Sequence, residues 1–172
     1  CAHDGAPLAR YWMHNGFLNM GTEKMSKSLG NVRLVREILN DAPGEAVRMA
    51  LLSGHYRQPL EWTPELLIRS KASLDRYYQI LRDVQDVEPA PSAVPEAFQA
   101  ALEDDLNTPK ALAELSALAK TLAKATTAEE KAQAKGALLA AGDLIGLLQG
   151  DARAWFASAR SDSDLSAEDI EA

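Results

Sequence analysis

The feature that most constrains this chain is where its alanines fall: of 30 in the 172 residues, 23 lie after Glu88. Alanine loses no side-chain entropy in a helix and is the best helix former, so the second half reads as helical. Local start signals divide it. Thr63-Pro64-Glu65 supplies an N-cap, a proline in the first turn and an acid near the helix N-terminus. That helix runs to about Val84, with Leu67, Leu74, Tyr77 or Tyr78, Leu81 and Val84 at spacings of three, four and seven. A proline-rich connection over residues 88–95 follows, and the next helix starts near Pro95 with Phe98, Ala101 and Leu102 inward. Asp104-Asp105-Leu106-Asn107-Thr108-Pro109 reads as a second Thr-Pro start, opening a helix with Leu112, Leu115, Ala119 and Leu122. Thr127-Ala128-Glu129-Glu130 is a capping box. Its helix carries Ala134, Leu138, Ala141, Ile145 and Leu148 and stops near Gly150. A last short helix is expected around Trp155 and Phe156, before an acidic tail. The spacing predicts an antiparallel bundle with short connections.

The first half has a different grain. Cys1-Ala2-His3-Asp4-Gly5 has no initiator methionine and reads as the interior of a longer protein. Residues 11–18 suit a strand, which Asn15-Gly16 interrupts as a turn or bulge. Residues 21–31 have loop composition. Short helices are expected over residues 34–39 and 43–53, with Gly54 as a stop and residues 55–59 as a linker. The expected division is residues 1–31, 32–60, 61–150 and 151–172. The fold class is mainly α: an antiparallel helical bundle preceded by a short strand and loop.

Apolar residues at 47% are enough for a packed core. No apolar run approaches the roughly 18 residues of a membrane span, so no membrane partner is expected, and no secretory signal pattern is present. A single cysteine excludes an intrachain disulfide, in keeping with a cytoplasmic location. Cys1 and His3, two residues apart with no second thiolate, are not a metal-ligand set. The solitary His14 and His55 are read as hydrogen-bonded structural residues. The net charge is −7, yet residues 24–82 hold 10 basic against 6 acidic side chains. A polyanion would therefore meet the first half.

The chemistry sits in Lys24-Met25-Ser26-Lys27-Ser28, a loop after a strand and before a helix. Two ammonium groups three residues apart can converge on one polyphosphate, and the serine hydroxyls can donate to phosphate oxygens. When a nucleotide loses pyrophosphate, charge accumulates on the leaving group. Cations that close on it in the transition state speed that step most, and a mobile loop suits this.

This string is identical to the second signature of class I aminoacyl-tRNA synthetases. Together with Cys1-Ala2-His3-Asp4-Gly5, Tyr11-Trp12-Met13-His14-Asn15-Gly16-Phe17, the flanks Glu23 and Leu29-Gly30-Asn31, Ser53-Gly54-His55-Tyr56-Arg57 and residues 104–109, it resembles the cysteinyl-tRNA synthetases, over residues 1 to about 156. The resemblance implies that the strand and loop belong to a class I Rossmann-type catalytic domain. It implies a ligase that makes cysteinyl-adenylate from cysteine and ATP with Mg2+, then passes the cysteine to tRNA(Cys). Lys24 and Lys27 would be catalytic, steadying the pyrophosphate. Lys24, Met25, Ser26, Lys27 and Ser28 would form the ATP-binding loop, with Met25 packing rather than reacting.

The family's His-Ile-Gly-His signature does not occur in these 172 residues, and its zinc ligands would lie outside them. The segment alone is accordingly expected to be inactive. The resemblance also implies tRNA docking through the segment after the loop and through the bundle. Arg33, Arg36, Arg48, Arg57, Arg69, Lys71, Arg76 and Arg82 are the candidate phosphate contacts, of a kind that positions RNA without reading its sequence. Two other readings stand beside this one. One is a related ligase joining cysteine to an amino sugar in thiol biosynthesis. The other is a free-standing helical interaction module.

Overall fold

The computed structural model describes residues 9–20, 23–24 and 34–162. Three short strands form one sheet in the order β2-β1-β3. Strand β1 (Leu18–Met20) is central. It pairs antiparallel with β2 (Glu23–Lys24), placing Asn19 opposite Lys24. It pairs parallel with β3 (Leu60–Trp62), placing Leu18 opposite Leu60. A parallel neighbour requires a crossover, and α1 (Val35–Asp41) and α2 (Gly44–Leu52) provide it.

The strand expected over residues 11–18 thus begins only at Leu18. Before it, Gly16 approaches the 58–59 backbone so closely that a Cβ there would lie 2.2 Å from the Gln58 carbonyl oxygen. Tyr11 and Trp12 are 91% and 67% exposed, so they make no core face within these residues. The linker expected over residues 55–59 leads directly into β3. A three-residue strand is too short to show alternation.

The helices fall close to expectation. Helix α3 (Pro64–Asp83) starts where Thr63 Oγ1 accepts the Leu66 N–H at 3.2 Å. Helix α4 (Glu96–Glu103) follows the proline-rich connection. Helix α6 (Ala128–Leu144) opens on the Thr127–Glu130 capping box. Two expectations are corrected. First, α5 (Thr108–Lys124) is capped by Asn107, whose side chain accepts the Lys110 N–H at 3.2 Å. Thr108 is not the cap; its hydroxyl is drawn to the Gly54 carbonyl oxygen at 3.3 Å. Second, α6 ends at Leu144 rather than near Gly150, because Gly146 (φ +68°) and Leu148 (φ +61°) turn the chain left-handed. Helix α7 (Ala152–Asp162) then returns across α3.

Helices α2 to α6 enclose one core. Leu74, Tyr78, Phe98, Leu115, Leu122, Leu138 and Leu147 are its largest fully buried side chains. Helix α7 is fastened to α3 by side chains. The Trp155 ring stacks on Tyr78 at 4.3 Å, its indole N–H donates to Asp75 at 2.7 Å, and the Arg82 guanidinium lies 4.5 Å above the Phe156 ring. Small residues let the connections close. Gly136 meets the 88–95 connection where a Cβ would lie 2.0 Å from the Ala90 carbonyl oxygen.

Candidate functional site

Lys24 ends β2, held through its backbone opposite Asn19. Met25, Ser26, Lys27, Ser28 and Arg33 lie outside the described residues. What can be described is how the root of the lysine string is held. Strand β1 carries β2 on one edge and β3 on the other. Two further bonds lengthen the β1–β3 seam: the Gly16 N–H donates to the Tyr56 carbonyl at 2.6 Å, and the Leu60 N–H to the Phe17 carbonyl at 2.9 Å.

The turn before β3 is in turn clasped to the bundle. Arg57 donates from Nε to Asp105 Oδ2 at 2.6 Å and from Nη2 to Oδ1 at 3.0 Å, a bidentate pair. The Tyr56 hydroxyl donates to Oδ1 of the same carboxylate at 2.6 Å. His55 stacks on Tyr56 with ring centroids 5.0 Å apart, and its Nδ1 accepts the Arg57 N–H at 3.3 Å. Asp105 is in the α4–α5 turn, where Asp105 and Leu106 are both left-handed, at φ +53° and +52°. Asp tolerates that conformation; for Leu it is a strained one. The turn is held by the Leu106 N–H on the Leu102 carbonyl and the Asn107 N–H on the Ala101 carbonyl. The Arg57 guanidinium, then the Tyr56 hydroxyl, stabilise the Asp105 carboxylate and hold its pKa down to about 2. The same bond raises the Tyr56 pKa above the usual phenol value.

The basic residues divide by what their charged ends touch. Arg57 is engaged by Asp105. Lys71 pairs with Asp75 at 2.9 Å, the carboxylate that also receives Trp155. Arg82 bonds Gln79 and covers Phe156. Arg36 is exposed on α1, and Arg48 is exposed on α2 with its guanidinium over Gly146. Arg69 and Arg76 are exposed one heptad apart on α3. Ser73 lies between them, accepting from Arg76 at 3.1 Å and donating to the Arg69 carbonyl at 3.0 Å. Beside Arg69 a groove of about 330 Å³ between α2 and α3 is lined by Met49, Ser53, Leu66, Ser70 and Ser73.

Asp105 and Tyr56 are the members of this site that spacing alone does not single out. The strings around Arg57 and Asp105 are separated by 48 residues, and only a tertiary turn makes them one unit. The available signal was an exposed acid in a turn and a basic turn elsewhere. Among the described residues no group of three or more His, Cys, Asp or Glu could hold a metal ion, and no helix is long and apolar enough to cross a membrane.

Comparison with known proteins gives this geometry a context. The family model for the tRNA synthetases class I (C) catalytic domain matches residues 1–72, and that for the DALR domain matches residues 97–149. The cysteine–tRNA ligase of Maricaulis maris is 61% identical over 156 residues, covering 91% of this chain and 34% of that protein. The cysteine–tRNA ligase of Parvibaculum lavamentivorans is 58% identical over 173 residues, covering 99% and 37%. Among solved structures, the agnB2 LeuRS–tRNA–LeuAMS ternary complex of Agrobacterium radiobacter K84 matches with a TM-score of 0.62 at 20% identity, over 83% of this chain and 22% of that one. This likeness concerns the fold. The chain spans about a third of the length of the curated relatives it matches, and within that span it belongs to the cysteinyl-tRNA synthetase family of class I aminoacyl-tRNA synthetases.

Proposed function

We propose that the whole protein containing this chain is a cysteine–tRNA ligase, and that these residues supply its pyrophosphate-stabilising loop and a tRNA-docking bundle. The observation that carries the reading is the Lys24-Met25-Ser26-Lys27-Ser28 string, whose first residue ends β2, within a segment 51–61% identical to proteins named cysteine–tRNA ligase. In the first step the cysteine carboxylate attacks the α-phosphorus of ATP and the bond to the β-phosphate oxygen breaks. Lys24 and Lys27 meet the charge that gathers on the departing pyrophosphate, and Ser26 and Ser28 shape the loop around it. In the second step a terminal ribose hydroxyl of tRNA(Cys) attacks the adenylate carbonyl and AMP leaves.

Mg2+ enters as the companion of ATP, bound to its phosphates. The family's zinc would be held by residues outside this chain, and no step is routed through it. For tRNA, the exposed Arg36, Arg48, Arg69 and Arg76 remain candidate phosphate contacts, and Arg33 stays a candidate by sequence. Arg57 and Lys71 are paired with carboxylates and Arg82 lies over the Phe156 ring, so these three are weaker candidates. The DALR match over residues 97–149 favours the synthetase over an amino-sugar ligase.

The test is cysteine-dependent ATP–pyrophosphate exchange by a full-length ligase containing these 172 residues. Lys27→Ala is expected to lower kcat by about a hundredfold or more, the scale of losing one transition-state donor. The isolated 172-residue chain is expected to show no exchange. Unchanged exchange in Lys27→Ala overturns the assignment of the loop.

A further inference from the structure

The clasp between Asp105 and the Tyr56–Arg57 turn is placed oddly for a device that only stabilises. It is exposed, where ion pairs contribute little. Yet it comprises three hydrogen bonds on one carboxylate, two of them 2.6 Å long. It is held from a turn with two consecutive left-handed residues, one of them a leucine 46% exposed. Strain of that kind persists only where the surroundings over-determine it, and it collects at functional positions.

What the clasp connects is specific. On its far side are α4, all but its first residue, and α5, within the stretch matching the DALR domain. On its near side the Tyr56 carbonyl receives the Gly16 N–H, and β3 begins three residues after Arg57. β3 pairs with β1, and β1 with β2, whose last residue is Lys24. A second tie runs parallel to the clasp, from the Thr108 hydroxyl to the Gly54 carbonyl. The α4–α5 turn is thus joined to the strand that ends at Lys24 by an unbroken series of hydrogen bonds, ladder pairs and short backbone. Gly16 allows this close approach, since any side chain there would meet the Gln58 backbone.

We propose that Asp105 is a positioning residue for adenylate formation, acting through Tyr56, Arg57 and the β3-β1-β2 sheet to set the place of Lys24 from the helical bundle. This rests on the loop assignment made above. Asp105 lies in the bundle and touches no reacting atom. Its effect is on where Lys24 stands when pyrophosphate departs, and misplacing a catalytic group by about an ångström can cost up to a hundredfold in rate.

The test is a double-mutant cycle on ATP–pyrophosphate exchange in a full-length ligase containing these residues, with thermal melting of each variant. Asp105→Asn is expected to lower kcat roughly tenfold to a hundredfold while leaving the KM for cysteine unchanged. In a Lys24→Ala background the same change is expected to lower kcat by less than about twofold, because the group it positions is gone. Arg57→Lys, which keeps the charge and loses the bidentate fork, and Tyr56→Phe, which loses one hydroxyl, are expected to give smaller losses in the same pattern and serve if Asp105→Asn does not fold. Equal fold-losses in both backgrounds, or normal kcat in all three clasp variants, overturn the proposal. If Lys24→Ala alone leaves exchange unchanged, it is the loop assignment that fails.

Discussion

The Tyr78 hydroxyl, fully buried in the bundle, donates to the Glu45 carboxylate at 2.9 Å. The same carboxylate receives the backbone N–H groups of Leu148 and Gln149 at 3.0 and 2.9 Å, and the Tyr78 oxygen accepts the Gly150 N–H at 3.0 Å. One acid on α2 thereby holds the left-handed turn between α6 and α7, more than a hundred residues away. Burial, with Glu45 beside it, pushes the Tyr78 pKa well above the usual phenol value.

Glu45→Ala leaves two backbone donors and a buried hydroxyl without their acceptor. Each stranded group costs about 1–3 kcal/mol, but the turn is close enough to the surface for water to reach part of it. The expected loss is about 2–4 kcal/mol for Glu45→Ala and about 1 kcal/mol for Tyr78→Phe, which removes a single hydroxyl. Urea unfolding of the 172-residue chain followed by circular dichroism measures both. A Glu45→Ala midpoint equal to that of the parent would show that the turn holds itself.

Gly136→Ala sets two effects against each other. In a helix interior, alanine is favoured over glycine by about 1 kcal/mol. At this position the new Cβ would lie 2.0 Å from the Ala90 carbonyl oxygen, which is backbone and cannot swing aside. The 88–95 connection must then shift, endangering the Ala90 N–H bond to Ala132 and the Lys135 ammonium bonds to the Val84 and Val87 carbonyls. The clash wins, and a net destabilisation of about 1–3 kcal/mol is expected. A stabilised variant in the same unfolding assay would refute the close approach.

How much of this could be read from the residues depended on range. Thr63 with Leu66, and Thr127 with Glu130, are contacts three residues apart, so the helix starts they define were legible. Thr108 was misread because the deciding partners are distant: its hydroxyl goes to Gly54, and Asn107 takes the cap. Strand β3 was invisible for the same reason, since its three residues gain strand character from β1, some forty residues earlier. Arg57 illustrates the limit for sites. Its charge suggested a phosphate partner, and only the fold brings Asp105 to it. The lysine string was legible as chemistry because it is contiguous, while the path from Lys24 to the bundle runs through tertiary bonds alone.

The clasp also has a pH signature whose sign is determined. Asp105 has a native pKa near 2 against an ordinary value of 3.8. A depressed carboxylate pKa means the group stabilises the fold fully above its unfolded pKa, and this contribution fades as pH falls through the native one. The stability difference between the parent chain and Asp105→Asn should therefore be fully present at about pH 5. It should shrink from about pH 4 towards pH 2. Urea midpoints measured from about pH 5 to pH 2 check it, and a difference that grew below about pH 4 would contradict the bidentate pairing.

The proposed docking of tRNA can be separated from general basicity by comparing basic residues with different partners. Arg69 and Arg76 face solvent from one side of α3, whereas the Lys71 ammonium is 2.9 Å from the Asp75 carboxylate. Phosphate contacts release counterions, so each one adds roughly 0.7–0.9 to the slope of log affinity against log salt. Arg69→Ala and Arg76→Ala should each weaken tRNA binding by the full-length ligase and flatten that slope by about this amount. Lys71→Ala should leave the slope unchanged, because Asp75 already neutralises the ammonium. It should instead loosen α7, since Asp75 also receives the Trp155 indole at 2.7 Å. Fluorescence anisotropy from about 50 to 200 mM KCl distinguishes these outcomes over the range where such contacts are most salt-sensitive. Equal slopes in all four proteins would remove α3 from the tRNA-facing surface.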